Sequence, residues 1–172
     1  REYKREILER LVHQIEPRST LDVGCGDMHV SAALPEDNYV GIDISDVIVK
    51  RNRTDFPGRA FVCGDFLLLD LPPADLVVCL DVLIHVRDYE TYKAFVRKLV
   101  EQARHYGIVA AYERPIDAAG MVFYHEPITK TLETSGATRL RKIGEYNLTS
   151  VFLFEPRRYV SGSHVEAANS GS

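Results

Sequence analysis

The chain has 172 residues, 45% hydrophobic and 27% charged, which suits one globular domain with a single core rather than two. Its 21 basic and 25 acidic residues leave a formal charge of -4, so no overall positive field gathers phosphate or anionic lipid, and nucleic acid is not the default partner. Cys25, Cys63 and Cys79 have neither metal-ligand nor disulfide-framework spacing, no apolar run reaches the ~20 residues of a membrane helix, and no secretory pattern marks the N-terminus, so the expected location is cytoplasmic and no membrane partner is expected.

The chain opens at Arg1 inside a charged helical pattern, so an upstream segment is expected before it. Ile7, Leu8, Leu11, Val12 and Ile15 recur at helical spacing and predict an amphipathic helix over 3–16, stopped by Pro17. Thr20 to Val23 reads as a strand running into Gly24-Cys25-Gly26, and a weak helical pattern follows from Met28 to Leu34. A second strand spans Tyr39 to Ile44. Ser45 or Asp46 caps a helix through Asn52, and Ala60 to Cys63 is a third strand ending at Gly64-Asp65. The unbroken apolar run Leu76 to Leu80 predicts a strand buried on both faces. Tyr89 to His105 carries Tyr92, Phe95, Val96, Leu99 and Val100 at helical spacing, and Ile108 to Tyr112 is a fifth strand. After a loop from Glu113 to Glu126 and a helix from about Pro127 to Thr134, the segments Arg139 to Tyr146 and Ser150 to Phe154 read as adjacent strands turning at Asn147. This alternation predicts a mostly parallel sheet with helices on both faces and a C-terminal hairpin. One domain is expected over 1–160, with Ser161 to Ser172 a disordered tail or an expression remnant.

The strongest local feature is Leu21-Asp22-Val23-Gly24-Cys25-Gly26, where glycines at a strand's end let backbone approach a ligand closely. A dinucleotide fingerprint needs a small residue where His29 stands, and no Gly-Lys-Ser or Gly-Lys-Thr follows the turn, so neither that fingerprint nor a Walker-type phosphate loop is present. Further carboxylates lie at the ends of consecutive strands, where open α/β sheets bind ligands. Asp43 ends the second strand and can accept from ribose hydroxyls. Asp65 ends the third and can accept from an adenine amine while Phe66 or Ile44 packs on the ring. Leu80 and Asp81 close the fourth. Each taken singly is as well explained as a strand-end or cap residue; their repetition points to a site.

With these residues the chain resembles class I S-adenosylmethionine-dependent methyltransferases from about Tyr3 to Glu155, and is similar to the small-molecule type found in ubiquinone biosynthesis. The resemblance implies a Rossmann-like, three-layer α/β sandwich with a mostly parallel seven-stranded sheet and an antiparallel C-terminal hairpin. It implies S-adenosylmethionine as cofactor and S-adenosylhomocysteine as product. Asp22, Gly24, Cys25 and Gly26 would hold the methionine portion, Asp43 the ribose, Asp65 and Phe66 the adenine, and the backbone of Leu80 the amino group, with Ile44 and Asp81 also among the cofactor-binding residues. Met28 stands where the motif often has a third glycine, and the short link to the second strand implies a trimmed first helix. An Asn-Pro-Pro-Tyr type signature is absent after the fourth strand, which argues against base methylation of DNA by that route.

The sulfonium already activates the methyl group, so the protein must align the reactants and, for an oxygen or nitrogen acceptor, take a proton. His85 is the candidate base, with Asp88 a candidate to orient its ring. Tyr124 and His125 are candidate contacts for a small-molecule acceptor, Phe123 a candidate staple onto the following helix, and no metal is expected. Basic clusters at Lys50-Arg51-Asn52-Arg53, Arg139-Leu140-Arg141-Lys142 and Arg157-Arg158 read as solvated faces. The rival readings are a catalytically silent methyltransferase fold used for interaction, and an RNA or protein methyltransferase.

Overall fold

The computed structural model describes residues 2–116 and 121–157, so the expected tail at 161–172 lies outside the described residues. Seven strands form one sheet: β1 (Thr20–Val23), β2 (Tyr39–Asp43), β3 (Ala60–Cys63), β4 (Ala74–Leu80), β5 (Ala103–Tyr112), β6 (Ala137–Tyr146) and β7 (Thr149–Pro156). Their spatial order is β3-β2-β1-β4-β5-β7-β6. The first five are parallel, and β7 runs antiparallel between β5 and β6. The order reverses between β1 and β4, which leaves a crevice at the C-terminal ends of those strands.

Burial on both faces explains the apolar run of β4. Leu76 and Val78 pack on one side with Ile7, Leu8 and Leu11 of helix α1 (Glu2–Ile15) and Val49 of α2 (Asp46–Asp55). Val77 and Cys79 pack on the other with Tyr92, Phe95 and Leu99 of α3 (Tyr89–Gln102), and with Ile128 and Leu132 of α4 (Ile128–Thr134). The three-layer sandwich is as expected. Among the described residues no helix is long and apolar enough to cross a membrane.

Several boundaries differ from the sequence reading, β5 among them, which begins at Ala103 rather than Ile108. The stretch from Met28 to Leu34 forms only a 3-10 turn at Ser31–Ala33, because Pro35 leaves no room for a second turn. The Arg59 guanidinium braces this short crossover, donating to Ser31 O and Ala32 O at 3.2 Å and to Leu34 O at 2.7 Å. Helix α3 stops at Gln102 because Ala103 to His105 are already extended, with Ala103 paired to Ala74 across the ladder. Strand β4 correspondingly begins at Ala74 rather than Leu76, and β6 begins at Ala137. The hairpin turn is two residues, Asn147 and Leu148, both with positive φ (45° and 68°), the geometry that matches strand twist.

Candidate active site

A pocket of about 320 Å³ opens at the crevice, lined by residues that include Gly24, Asp43, Ile44, Asp65, Phe66, Leu80, Asp81 and His85. Eight of the sequence-predicted residues therefore share one wall system. A larger groove lies at the opposite end of the sheet among Pro17, Asn38, Pro72 and His105. It contains neither the glycine turn nor the strand-end carboxylates, and so carries none of this chemistry.

The glycine turn is forced into shape from several sides. Gly24 and Gly26 have φ of +74° and +53°, a region costly for residues with a Cβ. At Gly24 a Cβ would also stand 2.1 Å from Cγ2 of Val82, so glycine is required there by space as well as by backbone. Gly26 N donates to Asp43 Oδ2 at 3.0 Å, and the buried Asn52 of α2 donates to Gly26 O at 2.7 Å. Asp43 Oδ1 accepts from Ser45 N at 2.9 Å, so this carboxylate joins the turn to the start of α2 while facing the pocket. Ser45 caps that helix through Ile48 N.

Met28 has φ of +63° and is almost fully buried. The position therefore has the backbone of the glycine it replaces. The strain of about 1–2 kcal/mol is outweighed by burying the thioether side chain, worth roughly 1.5–3 kcal/mol.

Asp22, Cys25 and Gly26 stand behind the pocket wall rather than on it. Leu21 and Val23 face the α3 layer, so strand alternation turns Asp22 toward the α1 layer. There its carboxylate accepts from the Tyr39 hydroxyl at 2.7 Å, and Ser31 also hydrogen-bonds to it. Burial pushes its pKa up to about 6 against the lowering effect of those bonds and of Arg59. The Cys25 thiol is buried beside Asn52, and burial drives its pKa well above the ordinary thiol range. Asp22 and Cys25 thus shape the turn from beneath.

Beyond Asp43, Ile44 is 77% exposed on the pocket's wall while Phe66 is buried, its ring 5.0 Å from that of Phe95. Ile44 is therefore an exposed apolar surface of the pocket, whereas Phe66 packs into the core behind it. Asp65 Oδ1 accepts from Leu67 N at 2.9 Å, and Lys98 ties the following loop to α3 through Leu67 O and Leu69 O.

Asp81 has φ of +61° and forms an ion pair with Lys4 of α1, while its other carboxylate oxygen is buried without a hydrogen-bond partner among the described residues. Lys4 is only 5% exposed and was missed by sequence reasoning. The signal was present, since Lys4 shares the apolar stripe of Ile7, Leu8 and Leu11 at helical spacing, where a charge needs a buried partner. Val82 and Phe95 were missed too, being ordinary apolar residues until the fold places them at the pocket.

His85 lies in a 3-10 turn at Leu83–His85, exposed at the pocket's edge. Its Nδ1 is 2.9 Å from Met121 O. Asp88, the candidate to orient it, instead caps α3 by accepting from Thr91 N at 2.7 Å and Thr91 Oγ1 at 2.8 Å, bonds that hold its carboxyl below the usual range. Tyr124, His125 and Phe123 line a small adjoining cavity with Leu83, Tyr92 and Tyr112. Among the described residues no group of three His, Cys, Asp or Glu is arranged to hold a metal ion.

The comparisons with known proteins agree with this geometry. Among solved structures, magnesium protoporphyrin IX methyltransferase from Synechocystis PCC 6803, with bound S-adenosylhomocysteine, is 19% identical with a TM-score of 0.66, over 90% of this chain and 83% of that one. N-methyltransferase NodS from Bradyrhizobium japonicum WM9 is 15% identical with a TM-score of 0.72, over 91% and 96%. Human N-acetylserotonin methyltransferase in complex with S-adenosylmethionine is 15% identical with a TM-score of 0.70, over 90% and 52%. At these identities the likeness is one of fold. No curated protein sequence matches the chain significantly. The family model described as "Methyltransferase domain" matches residues 21–111, more than half the chain, from β1 and the glycine turn through Asp43, Asp65 and Asp81 to β5, and the chain belongs to that family.

Proposed function

We propose that the pocket binds S-adenosylmethionine and that the protein transfers its methyl group to an oxygen or nitrogen of a small molecule, with His85 taking the acceptor's proton. The residues present suit such a cofactor. Asp43 uses one lone pair of each oxygen on Gly26 N and Ser45 N, which leaves one on each for ribose hydroxyls. Asp65 keeps Oδ2 for an exocyclic amine, and Ile44 offers an exposed apolar face to a purine. The unsatisfied oxygen of Asp81 and the backbone of Leu80 suit an α-ammonium group. Bound there, the cofactor would supply a sulfonium-activated methyl group. The chain's own work is to align the acceptor, exclude water and move one proton.

The observation that carries this reading is the hydrogen bond between His85 Nδ1 and Met121 O. A carbonyl oxygen only accepts, so the proton sits on Nδ1 and the lone pair of the neutral ring is left on Nε2, with His85 at the edge of the pocket. That is the form a general base needs. The apolar and aromatic side chains of Leu83, Tyr112, Phe123 and Tyr124, in the segments that flank His85 and pair with it, suit a small acceptor. A nucleic-acid acceptor is disfavoured by the basic clusters, since Lys50, Arg51, Arg139 and Lys142 are each paired with a carboxylate.

The test is to incubate the chain with S-adenosylmethionine and, separately, small phenols, small amines, total RNA and unfolded protein, following S-adenosylhomocysteine release. Release with a phenol or amine, lost in His85→Ala, is expected. Release only with RNA or protein would overturn the acceptor class, and cofactor binding with no release in any arm would favour a silent fold.

A further inference from the structure

Three hydrogen bonds join the segment after β4 to the segment after β5. Phe123 N donates to Ile84 O at 2.7 Å, His85 Nδ1 lies 2.9 Å from Met121 O, and His125 Nε2 lies 2.8 Å from Val86 O. Residues 84, 85 and 86 are therefore each bonded to the short stretch 121–125. Both histidine partners are carbonyl oxygens, so His125 carries a proton on Nε2 as His85 does on Nδ1.

The His125 ring is also held in place by α3. Its centroid lies 5.5 Å from that of Tyr89 and 4.9 Å from that of Tyr92, both on the first turn of the helix that follows Val86. Tyr92 is buried, so this anchor is rigid, whereas His85 and Met121 are exposed. The fixed contact in the ladder is thus at His125, and the chemistry is at His85, two bonds away.

We propose that His125 is a positioning residue, a latch that fixes 121–125 against 84–86 and so keeps the Met121 carbonyl on Nδ1 of His85. The inference rests on the reading of His85 as the base. Without the latch the carbonyl is free to leave, and a histidine ring with no acceptor at Nδ1 carries its proton mainly on Nε2. The atom that must receive the acceptor's proton would then already hold one. His125 thereby acts on the reaction through tautomer and orientation rather than through contact with the acceptor.

The experiment is a long-range proton-nitrogen correlation spectrum of the full chain with nitrogen-15 histidine, which distinguishes the two neutral tautomers. The chain has six histidines, and the His85 signals are identified by their loss in His85→Gln. His125→Phe keeps the stacked ring and removes the donor; His125→Gln keeps an N–H donor near the Nε2 position. The proposal expects the Nδ1–H tautomer for His85 in the parent, a shift toward Nε2–H in His125→Phe, and recovery in His125→Gln. Turnover should fall about tenfold or more in the Phe variant with KM and S-adenosylhomocysteine affinity unchanged. A folded His125→Phe that retains the Nδ1–H tautomer overturns the latch, as does a parent spectrum already in the Nε2–H form, which requires no variant to fold. A tautomer shift with unchanged turnover keeps the latch and removes His85 as the base.

Discussion

Nδ1 of His85 lies 2.9 Å from the carbonyl oxygen of Met121, 36 residues further along the chain, and this one contact fixes which ring nitrogen holds the proton. Replacing His85 with Ala should lower turnover by roughly 10²–10⁴, the usual worth of a general base. Because the ring stands at the pocket's edge, S-adenosylhomocysteine affinity measured by calorimetry should change little. A variant as fast as the parent at saturating acceptor would remove His85 from the chemistry.

Gly24 and Val82 are packed so closely that a single methyl is too much. In Gly24→Ala, the positive φ costs about 1–2 kcal/mol and the 2.1 Å overlap with Val82 Cγ2 about 1–3 more. Together these predict a fall in Tm of roughly 4–20 °C for a chain of this size. Adding Val82→Ala should recover the steric part and leave the backbone part. If the double variant melts no higher than the single one, the overlap is not what excludes alanine.

Asp43 both accepts from Gly26 N and faces the pocket, so its removal should register twice. For Asp43→Ala we expect cofactor affinity to fall at least tenfold, about 1.4 kcal/mol. Stability should fall by about 1–3 kcal/mol as the two backbone donors lose their acceptor. Asp43→Asn, which keeps one accepting oxygen, should recover part of the stability while binding stays weakened. Parental affinity in both would place the ribose elsewhere.

These residues also show how far the sequence was legible. Gly24 and Gly26 stand out because a strand running into paired glycines implies positive φ, and Asp43, Asp65 and Asp81 because each lies at or just past the end of a strand. The three-layer order could be read from the unbroken apolar run of β4, and the short first crossover from Pro35. Asp22 was read into the cofactor site although β1 alternates, and Leu21 and Val23 facing α3 turn its carboxylate to the opposite layer. The partners of Lys4 and His85 were not legible, because each depends on segments brought together only by the sheet. Lys4 and Asp81 are 77 residues apart, and Met121 reaches His85 from beyond β5. Asp88 had two competing uses, and the helix cap took it.

The buried carboxyl of Asp22 gives the fold a specific pH dependence. Its pKa is raised from 3.8 to about 6, so the folded state holds the proton more tightly than the unfolded state. Stability from this group is therefore fully present below about pH 4, is lost as pH rises toward 6, and is flat beyond it. The shift corresponds to very roughly 3 kcal/mol. Asp22→Asn keeps an acceptor for Tyr39 and cannot ionise, so the variant should gain stability relative to the parent between pH 4.5 and pH 7.5 in urea unfolding. The same difference at both pH values would contradict a raised Asp22.

The most direct test of the account is a calorimetric titration of the chain with S-adenosylhomocysteine, with NAD and ATP as comparison ligands, repeated on Asp43→Ala. Binding of S-adenosylhomocysteine alone, weakened at least tenfold by the substitution, is the predicted result. Equal binding of NAD or ATP, or S-adenosylhomocysteine binding that is indifferent to Asp43, would contradict it.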